Sequence, residues 1–79
     1  MQNDQSALNT LGLIFCEGKY VTRDIQKSVH YFTLAANQNN KSAQTNLGNI
    51  YYEGKYITRD INKAIHYYSL AANLNDQSA

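Results

Sequence analysis

The sequence predicts an all-α fold, an α/α superhelix of two helix–turn–helix units. Three observations predict it: the chain repeats itself after 36 residues, apolar residues recur at helical spacing within each copy, and a glycine follows each predicted first helix. A length of 79 residues suits one small domain. We therefore expect a single repeat domain over residues 1–79.

The repeat is evident from residue identities. Residues 5–40 align with 41–76 without a gap, and 21 of the 36 aligned pairs are identical. Residues 75–79 then repeat residues 3–7 letter for letter. The alignment predicts one unit over about 5–40, a second over about 41–76 and the start of a third at 77–79, as in a segment of a longer array.

The first helix of each unit is predicted from apolar residues that stand three and four positions apart. Such spacing places their side chains on one face of a helix. Gly18 and Gly54 end the apolar pattern, where glycine commonly adopts the left-handed conformation that closes a helix. The expected apolar face comprises Ala7, Leu11, Ile14 and Phe15 in the first unit, and Ala43, Leu47, Ile50 and Tyr51 in the second.

The second helices are predicted over about 24–36 and 60–72. Thr22 and Thr58 are the expected N-caps, because a threonine hydroxyl can accept a hydrogen bond from an unpaired backbone N–H. The aspartate two residues later would lie in the first turn, near the positive end of the helix dipole and three residues before a lysine. The expected apolar faces comprise Ile25, Val29, Phe32 and Ala36, then Ile61, Ile65, Tyr68 and Ala72.

Small residues inside the helices predict close helix crossings. Gly12 and Gly48 stand in the middle of the first helices, where glycine costs about 1 kcal/mol relative to alanine. We expect another helix to approach the backbone at these two positions. The pairs Ala35-Ala36 and Ala71-Ala72 are expected to serve the same purpose in the second helices.

The second unit carries the order of residues that is typical of the Sel1-like repeat family, a tetratricopeptide-like α/α solenoid. The resemblance implies a superhelix and a role as an adaptor or scaffold. No cofactor is expected, since the sequence carries no cofactor-binding motif. The first unit departs from the pattern at Phe15 and Ser28. The matching residues are Ala43, Leu47, Gly48, Tyr51, Gly54, Ile57, Asp60, Lys63, Ala64, Tyr67, Tyr68, Ala71 and Ala72.

Composition narrows the function further. Seven basic and six acidic residues are spread along the chain, so an electrostatic nucleic-acid surface is not expected. No apolar run approaches the roughly 20 residues of a membrane span, and the polar residues 1–5 predict no secretory signal. The single cysteine fits a reducing compartment. Because no catalytic motif is present, the chain is not expected to be an enzyme.

Other reactive side chains favour ordinary structural roles. His30 and His66 occupy equivalent positions, and helices pack about 8–10 Å apart, so one zinc ion could not easily join them. We expect partly buried histidines between the units. Cys16 lacks an evident catalytic partner and is expected to be an ordinary helix residue. Tyrosines recur in both units, where they either pack one unit on the next or contact a partner; these are Tyr20, Tyr31, Tyr56 and Tyr67.

The candidate binding surface consists of positions where the two units differ. In each first helix, three such positions stand at i, i+4 and i+7, which places them on one stripe away from the apolar face. First helices line the concave surface of tetratricopeptide-like solenoids, so either partner contact or neutral drift on a solvated face explains the stripe. Its residues are Asn9, Leu13 and Cys16 in the first unit, and Thr45, Asn49 and Tyr52 in the second.

The predicted function is a protein-interaction module that holds a peptide or protein partner in a solenoid groove. The alternative is a self-assembling segment, since repeats leave apolar faces at their ends and about three are usually needed for stability. Such a chain would form homo-oligomers by end-to-end stacking or by helix exchange. A third reading, β-lactam binding or hydrolysis, comes from bacterial relatives with a disulfide in each unit, and the single Cys16 does not fit that branch.

Overall fold

The computed structural model describes residues 4–77, with side chains to residue 74. It contains four α-helices: α1 (Gln5–Glu17), α2 (Ile25–Asn37), α3 (Lys41–Glu53) and α4 (Ile61–Gln77). Within these residues there is no strand. The predicted all-α fold is therefore confirmed, with one helical hairpin in each unit.

The helices stack in chain order. α1 packs along α2 and α3 packs along α4, while α2 packs against α3 and joins the two hairpins. α1 and α3 touch only slightly, so they lie side by side with a groove between them. The inner helices α2 and α3 therefore have packed neighbours on two sides, whereas α1 and α4 have a main neighbour on one side.

Both first helices end as predicted. Gly18 and Gly54 adopt left-handed conformations with φ of 67° and 60°. Their amides donate hydrogen bonds to Ile14 O at 3.3 Å and Ile50 O at 3.2 Å. A side chain at either position would be strained, because L-residues other than glycine rarely adopt this conformation.

The predicted N-caps of the second helices are wrong. Asp24 caps α2 by accepting a hydrogen bond from the Lys27 amide at 3.1 Å, in place of Thr22. Asp60 accepts from Lys63 N in the same way, in place of Thr58. Each aspartate is held outside the helix because its own amide donates to the preceding first helix, as Asp24 N does to Phe15 O at 3.0 Å. The lysines therefore meet the aspartates through their backbone N–H groups.

Close crossings occur at the predicted glycines. A Cβ built at Gly12 would come within 2.5 Å of the Phe32 ring, and one at Gly48 within 2.6 Å of the Tyr68 ring. Ser28, which is fully buried, donates to Gly12 O at 2.7 Å and fixes the same crossing. The aromatic ring of each second helix thus lies directly on the backbone of the first helix.

The core is continuous across both hairpins, but the outer helices bury the expected faces only in part. In α1, Leu8 and Gly12 are buried and Ala7 is exposed, whereas its equivalent Ala43 is fully buried in α3. In α4, Ile61 and Ile65 are exposed. The difference follows from position, because only α3 and α2 have a second packed neighbour. The buried apolar residues are Leu8, Phe32, Ala35, Ala36, Ala43, Leu47, Ala64 and Ala71.

The joint between the hairpins is a three-residue turn, residues 38–40. Asn39 adopts φ of 65°, and Asn40 caps α3 by accepting from the Ala43 amide at 2.8 Å. Next to the turn, buried Gln44 donates through Nε2 to Ala36 O at 3.2 Å, while its Oε1 has no protein partner. The joint is therefore built from backbone and amide contacts as well as apolar packing.

α4 does not end where the equivalent helix α2 does. It continues through Asn73, the equivalent of Asn37, to Gln77. The predicted end near residue 72 is therefore wrong. A third unit expected to begin at 77–79 remains a prediction, since Gln77 belongs to α4 and residues 78–79 lie outside the described chain.

Candidate partner-binding groove

The predicted stripe lies where α1 and α3 run side by side. The structure brings five of its six residues together around an open surface depression, which we call the α1/α3 groove. Asn9, Leu13 and Cys16 line it from α1, and Thr45 and Asn49 line it from α3. The residue placed elsewhere is Tyr52.

The groove has two parts, which we name by their volumes: a larger, wide part whose lining residues are mostly polar, and a smaller, narrow part whose lining is mainly apolar. The wide part encloses about 430 Å³ and is lined by Asn9, Leu13, Lys41, Ser42, Thr45 and Asn46. The narrow part encloses about 100 Å³ and is lined by Leu13, Cys16, Phe32, Asn46, Asn49, Ile50 and Glu53. Leu13 and Asn46 border both parts, so the two parts adjoin each other.

The sequence predicted that the stripe points away from the core. In α1 that prediction is wrong. Leu13 and Cys16 are half-buried and pack against the hydrophobic core. Neighbouring residues of two other helices border the same space, Phe32 from α2 and Ile50 from α3. Leu13 and Cys16 therefore form an apolar floor, whereas exposed Asn49 lies at the groove edge.

Side-chain amides connect the helices along the groove. Asn46 donates through Nδ2 to Asn9 Oδ1 at 3.4 Å, joining α3 to α1. The Tyr68 hydroxyl donates to Asn49 Oδ1, joining α4 to α3. Each asparagine amide carries both donor and acceptor capacity. The groove therefore offers paired donors and acceptors of the kind that a peptide backbone requires.

The electrostatic environment of Tyr68 favours its neutral form. Burial raises the pKa of its hydroxyl, and the negative charge of Glu53 and of ionised Tyr52 acts in the same direction. The phenol is neutral at physiological pH and donates to Asn49, and the raised pKa preserves that donor to more alkaline pH.

Tyr52 belongs to a different local contact. Its ring is 53% exposed, and the Arg59 guanidinium carbon lies 5.3 Å from the ring centroid. Tyr52 borders neither part of the groove. The stripe thus ends one residue short of its predicted length.

Sequence comparison of the units missed half of the groove lining. Asn46 differs from its equivalent Thr10 and could have been found by the same rule. Ser42, Ile50 and Glu53 are identical in both units, so differences could not reveal them. The signal that unites the polar members is helical spacing, since residues 42, 45, 46, 49 and 53 share one face of α3.

Two of the four recurring tyrosines stack on a ring of their own unit, and a third contacts the other unit. Tyr31 stacks on Phe15 with centroids 6.0 Å apart, and Tyr67 stacks on Tyr51 at 6.2 Å. Both tyrosines also pack against the core cluster that the two units share, so the expected packing of one unit on the next by these residues stays a prediction. Tyr56 is the exception, because the Arg23 guanidinium of the first unit lies 4.3 Å from its ring centroid.

The histidines are also placed differently from the prediction. His30 and His66 are exposed, and each makes an edge contact with the tyrosine that follows it. Cys16 is a free, half-buried thiol on α1. Among residues 4–77, no three His, Cys, Asp or Glu side chains gather into a cluster that could hold a metal ion.

The stacked hairpins define an α/α solenoid repeat protein, and none of its described helices is long and apolar enough to cross a membrane. The sequence matches the Sel1 repeat over residues 5–40 and again over 41–76. The chain therefore belongs to the Sel1 repeat family. Sel1 repeats are generally scaffolds for protein–protein interaction, and the fold is typically non-enzymatic.

Two solved structures illustrate the similarity. One is a protective antigen with an SLR fold from uropathogenic Escherichia coli strains, at 38% identity and a TM-score of 0.86 over 92% of this chain. The other is a Sel1 repeat protein from Oxalobacter formigenes, at 32% identity and a TM-score of 0.85 over 98%. This chain spans only 16% and 31% of those two chains. No match is found among curated proteins.

Proposed function

We propose that the α1/α3 groove binds an extended segment of a partner protein. The observation that supports this proposal is that a mainly apolar pocket adjoins an open depression lined by asparagine amides. Leu13, Cys16 and Ile50 surround a space of about 100 Å³. An engineered apolar cavity of about 150 Å³ accepts benzene, so this pocket suits one small aliphatic side chain, while Asn9 and Asn46 face the adjoining backbone.

The dimensions favour a short segment. Lys41 and Glu53 stand at opposite ends of α3, twelve residues apart, which corresponds to about 18 Å of helix. An extended peptide advances about 3.3 Å per residue, so five or six residues cover this length. The groove carries one residue of each charge sign, at its two ends. A largely uncharged segment with a central aliphatic residue is therefore the expected partner sequence.

A blocking substitution tests the groove. Thr45→Arg places a long side chain in the wide part, and Thr33→Arg on α2 is the control at a half-buried threonine outside the groove. Heptapeptides selected from a random display library against the wild-type chain are synthesised, and their affinities are measured by fluorescence anisotropy. We expect Thr45→Arg to weaken binding at least tenfold and Thr33→Arg to leave it unchanged. Equal affinities for both variants would place binding elsewhere.

Self-association through the ends is a second candidate, and a specific observation favours it. Ile65 is 57% exposed, whereas its equivalent Val29 is half-buried and packs against the core. End-to-end stacking or helix exchange would cover Ile65. Sedimentation velocity over a wide concentration range tests this proposal, which fails if the chain remains monomeric throughout.

We propose that the chain itself is not an enzyme. Its single cysteine supports this, because the relatives linked to β-lactam chemistry carry a disulfide in each unit. A nitrocefin assay provides the test, and measurable hydrolysis that survives repurification would overturn the proposal.

A further inference from the structure

The contact between Arg23 and Tyr56 joins the two units at their turns. The Arg23 guanidinium is fixed by the first unit, where Nε donates to Cys16 O at 2.9 Å and Nη2 donates to Glu17 O at 3.1 Å. It then covers the Tyr56 ring of the second unit at 4.3 Å from the centroid. An arginine over an aromatic face is attracted by the ring quadrupole.

Each of the two residues in this contact has an equivalent in the other unit, and these equivalents lie at opposite ends of the molecule. Tyr20 is the equivalent of Tyr56, and it is 74% exposed where Tyr56 is 42% exposed. Arg59 is the equivalent of Arg23, and it lies on the far side of the second unit, over Tyr52. One end of the molecule therefore presents the ring, and the other end presents the guanidinium.

The apolar surfaces at the two ends have the same relationship. At the α1 end, Ala7 is exposed, although its equivalent Ala43 is fully buried in the joint. At the α4 end, Ala72 is exposed, although its equivalent Ala36 is buried in the joint. Ile65 lies on this end as well. The two ends are thus the separate halves of an interface that α2 and α3 already form within the chain.

We propose that a second copy of this chain docks head to tail, with its α1 end on the α4 end of the first copy. The register is that of the α2–α3 joint, so Arg59 of one copy covers Tyr20 of the next. This inference rests on the end-to-end association proposed above and specifies its geometry. The interface joins unlike surfaces, so association is open-ended and forms chains of copies.

The joint between copies is weaker than the joint within the chain. No covalent turn connects the copies. Leu8 also stands where Gln44 stands in the internal joint, so the amide donor to the helix-end carbonyl has no counterpart. Association is consequently expected at high protein concentration, with Ile65, Ala72 and Arg59 supplying the contacts of one end.

Two end-blocked variants test the geometry. Ala7→Arg obstructs the α1 end and leaves the α4 end intact, while Ile65→Arg does the reverse. In sedimentation velocity, the wild-type chain is expected to gain mass with concentration and each variant alone to remain monomeric. Their equimolar mixture is expected to stop at twice the mass of one chain. Circular dichroism checks the fold, and Tyr20→Glu and Ile61→Arg replace a variant that fails to fold.

The register is tested by adding one substitution to either member of the mixture. Tyr20→Ala in the Ile65→Arg chain removes the ring at the joint and is expected to weaken dimerisation by about two- to fivefold or more. The same Tyr20→Ala change in the Ala7→Arg chain lies at the obstructed end and should have no effect. Arg59→Ala should show the opposite dependence on the chain that carries it.

The outcomes separate the two proposals. A wild-type chain that stays monomeric overturns the association and the register together. A wild-type chain that associates, combined with end-blocked variants that do not pair, overturns the head-to-tail register and leaves helix exchange as the mode of association. Equal effects of Tyr20→Ala in either chain would overturn the Arg59–Tyr20 contact alone.

Discussion

The Tyr68 hydroxyl donates a hydrogen bond to Asn49 Oδ1, whereas the equivalent residues of the first unit, Phe32 and Leu13, are both apolar. Phe32 and Leu13 border the same narrow part of the groove. The two differences between the units are therefore linked: polar Tyr68 is paired with polar Asn49, and apolar Phe32 with apolar Leu13. The presence of asparagine at position 49 is therefore explained equally well by packing against the second helix and by contact with a partner.

This linkage predicts the effect of exchanging one residue at a time. Phe32→Tyr places a hydroxyl in a fully buried site beside Leu13, and an unpaired buried hydroxyl costs about 1–3 kcal/mol. We expect that loss in the free energy of unfolding, measured by urea denaturation. Adding Leu13→Asn should recover part of it, since the pair then matches Tyr68 and Asn49. Additive losses in the double variant would contradict the linkage.

The crossing at Gly12 predicts a penalty for the smallest possible side chain. Gly12→Ala should gain about 1 kcal/mol of helix propensity but push a methyl group into the Phe32 ring, and overpacking typically costs about 1–3 kcal/mol. We expect a lower melting temperature. Phe32→Leu in the same chain should reduce the penalty by vacating the contact. Ser69→Ala on the exposed surface of α4 is the control. A Gly12→Ala chain that keeps the whole propensity gain, and is about 1 kcal/mol more stable than wild type, would refute the close crossing.

The corrected N-cap can be tested with adjacent polar residues. Asp24→Ala removes the acceptor of the Lys27 amide and should cost about 0.5–2 kcal/mol of unfolding free energy. Thr22→Ala should change it by less than about 0.5 kcal/mol, as expected for a surface substitution. Chemical denaturation at neutral pH measures both. A larger loss at Thr22 than at Asp24 would restore the threonine as the cap.

The raised pKa of Tyr68 predicts a loss of stability in alkali. Because its pKa is higher in the folded protein than in the unfolded chain, where it is about 10, the unfolded chain releases the proton first. The free energy of unfolding should therefore fall as pH rises through about 10 and through the higher folded value. Tyr68→Phe lacks this contribution, so its stability should fall less steeply between about pH 9 and pH 11. Parallel pH profiles would contradict the assignment.

The turns and crossings were predictable because few residues other than glycine can occupy those positions. The apolar spacing had already placed the first helices, and Gly18 and Gly54 follow directly where those helices end. Gly12 and Gly48 are unfavourable inside a helix, so a close helix crossing was the expected explanation. The N-caps were less certain from sequence, since a threonine and an aspartate two residues apart are both good caps. The backbone bond from each aspartate to the preceding first helix decided between them, and that bond depends on tertiary structure.

The candidate groove was predictable only in part. Helical spacing placed Asn9 with Leu13 on one face of α1, and Thr45 with Asn49 on one face of α3, since that spacing is fixed by helix geometry. The half-burial of Leu13 could not be derived, because it depends on how α2 and α3 are placed around α1. The exposure of Ile65 was not predicted either. Apolar residues at helical spacing identify an apolar face, but they do not show whether another helix covers it.

The buried Gln44 gives the two units a fixed order. Its amide donates to Ala36 O, at the end of the preceding hairpin, whereas Leu8 at the same position of the first unit has no polar group to pair. The second unit by itself would leave that amide without its acceptor. The first unit has no amide at this position and needs no acceptor there. A gene in which the two halves were exchanged would encode the same composition and nearly the same helices, yet it would place leucine at the joint and glutamine at the outer end.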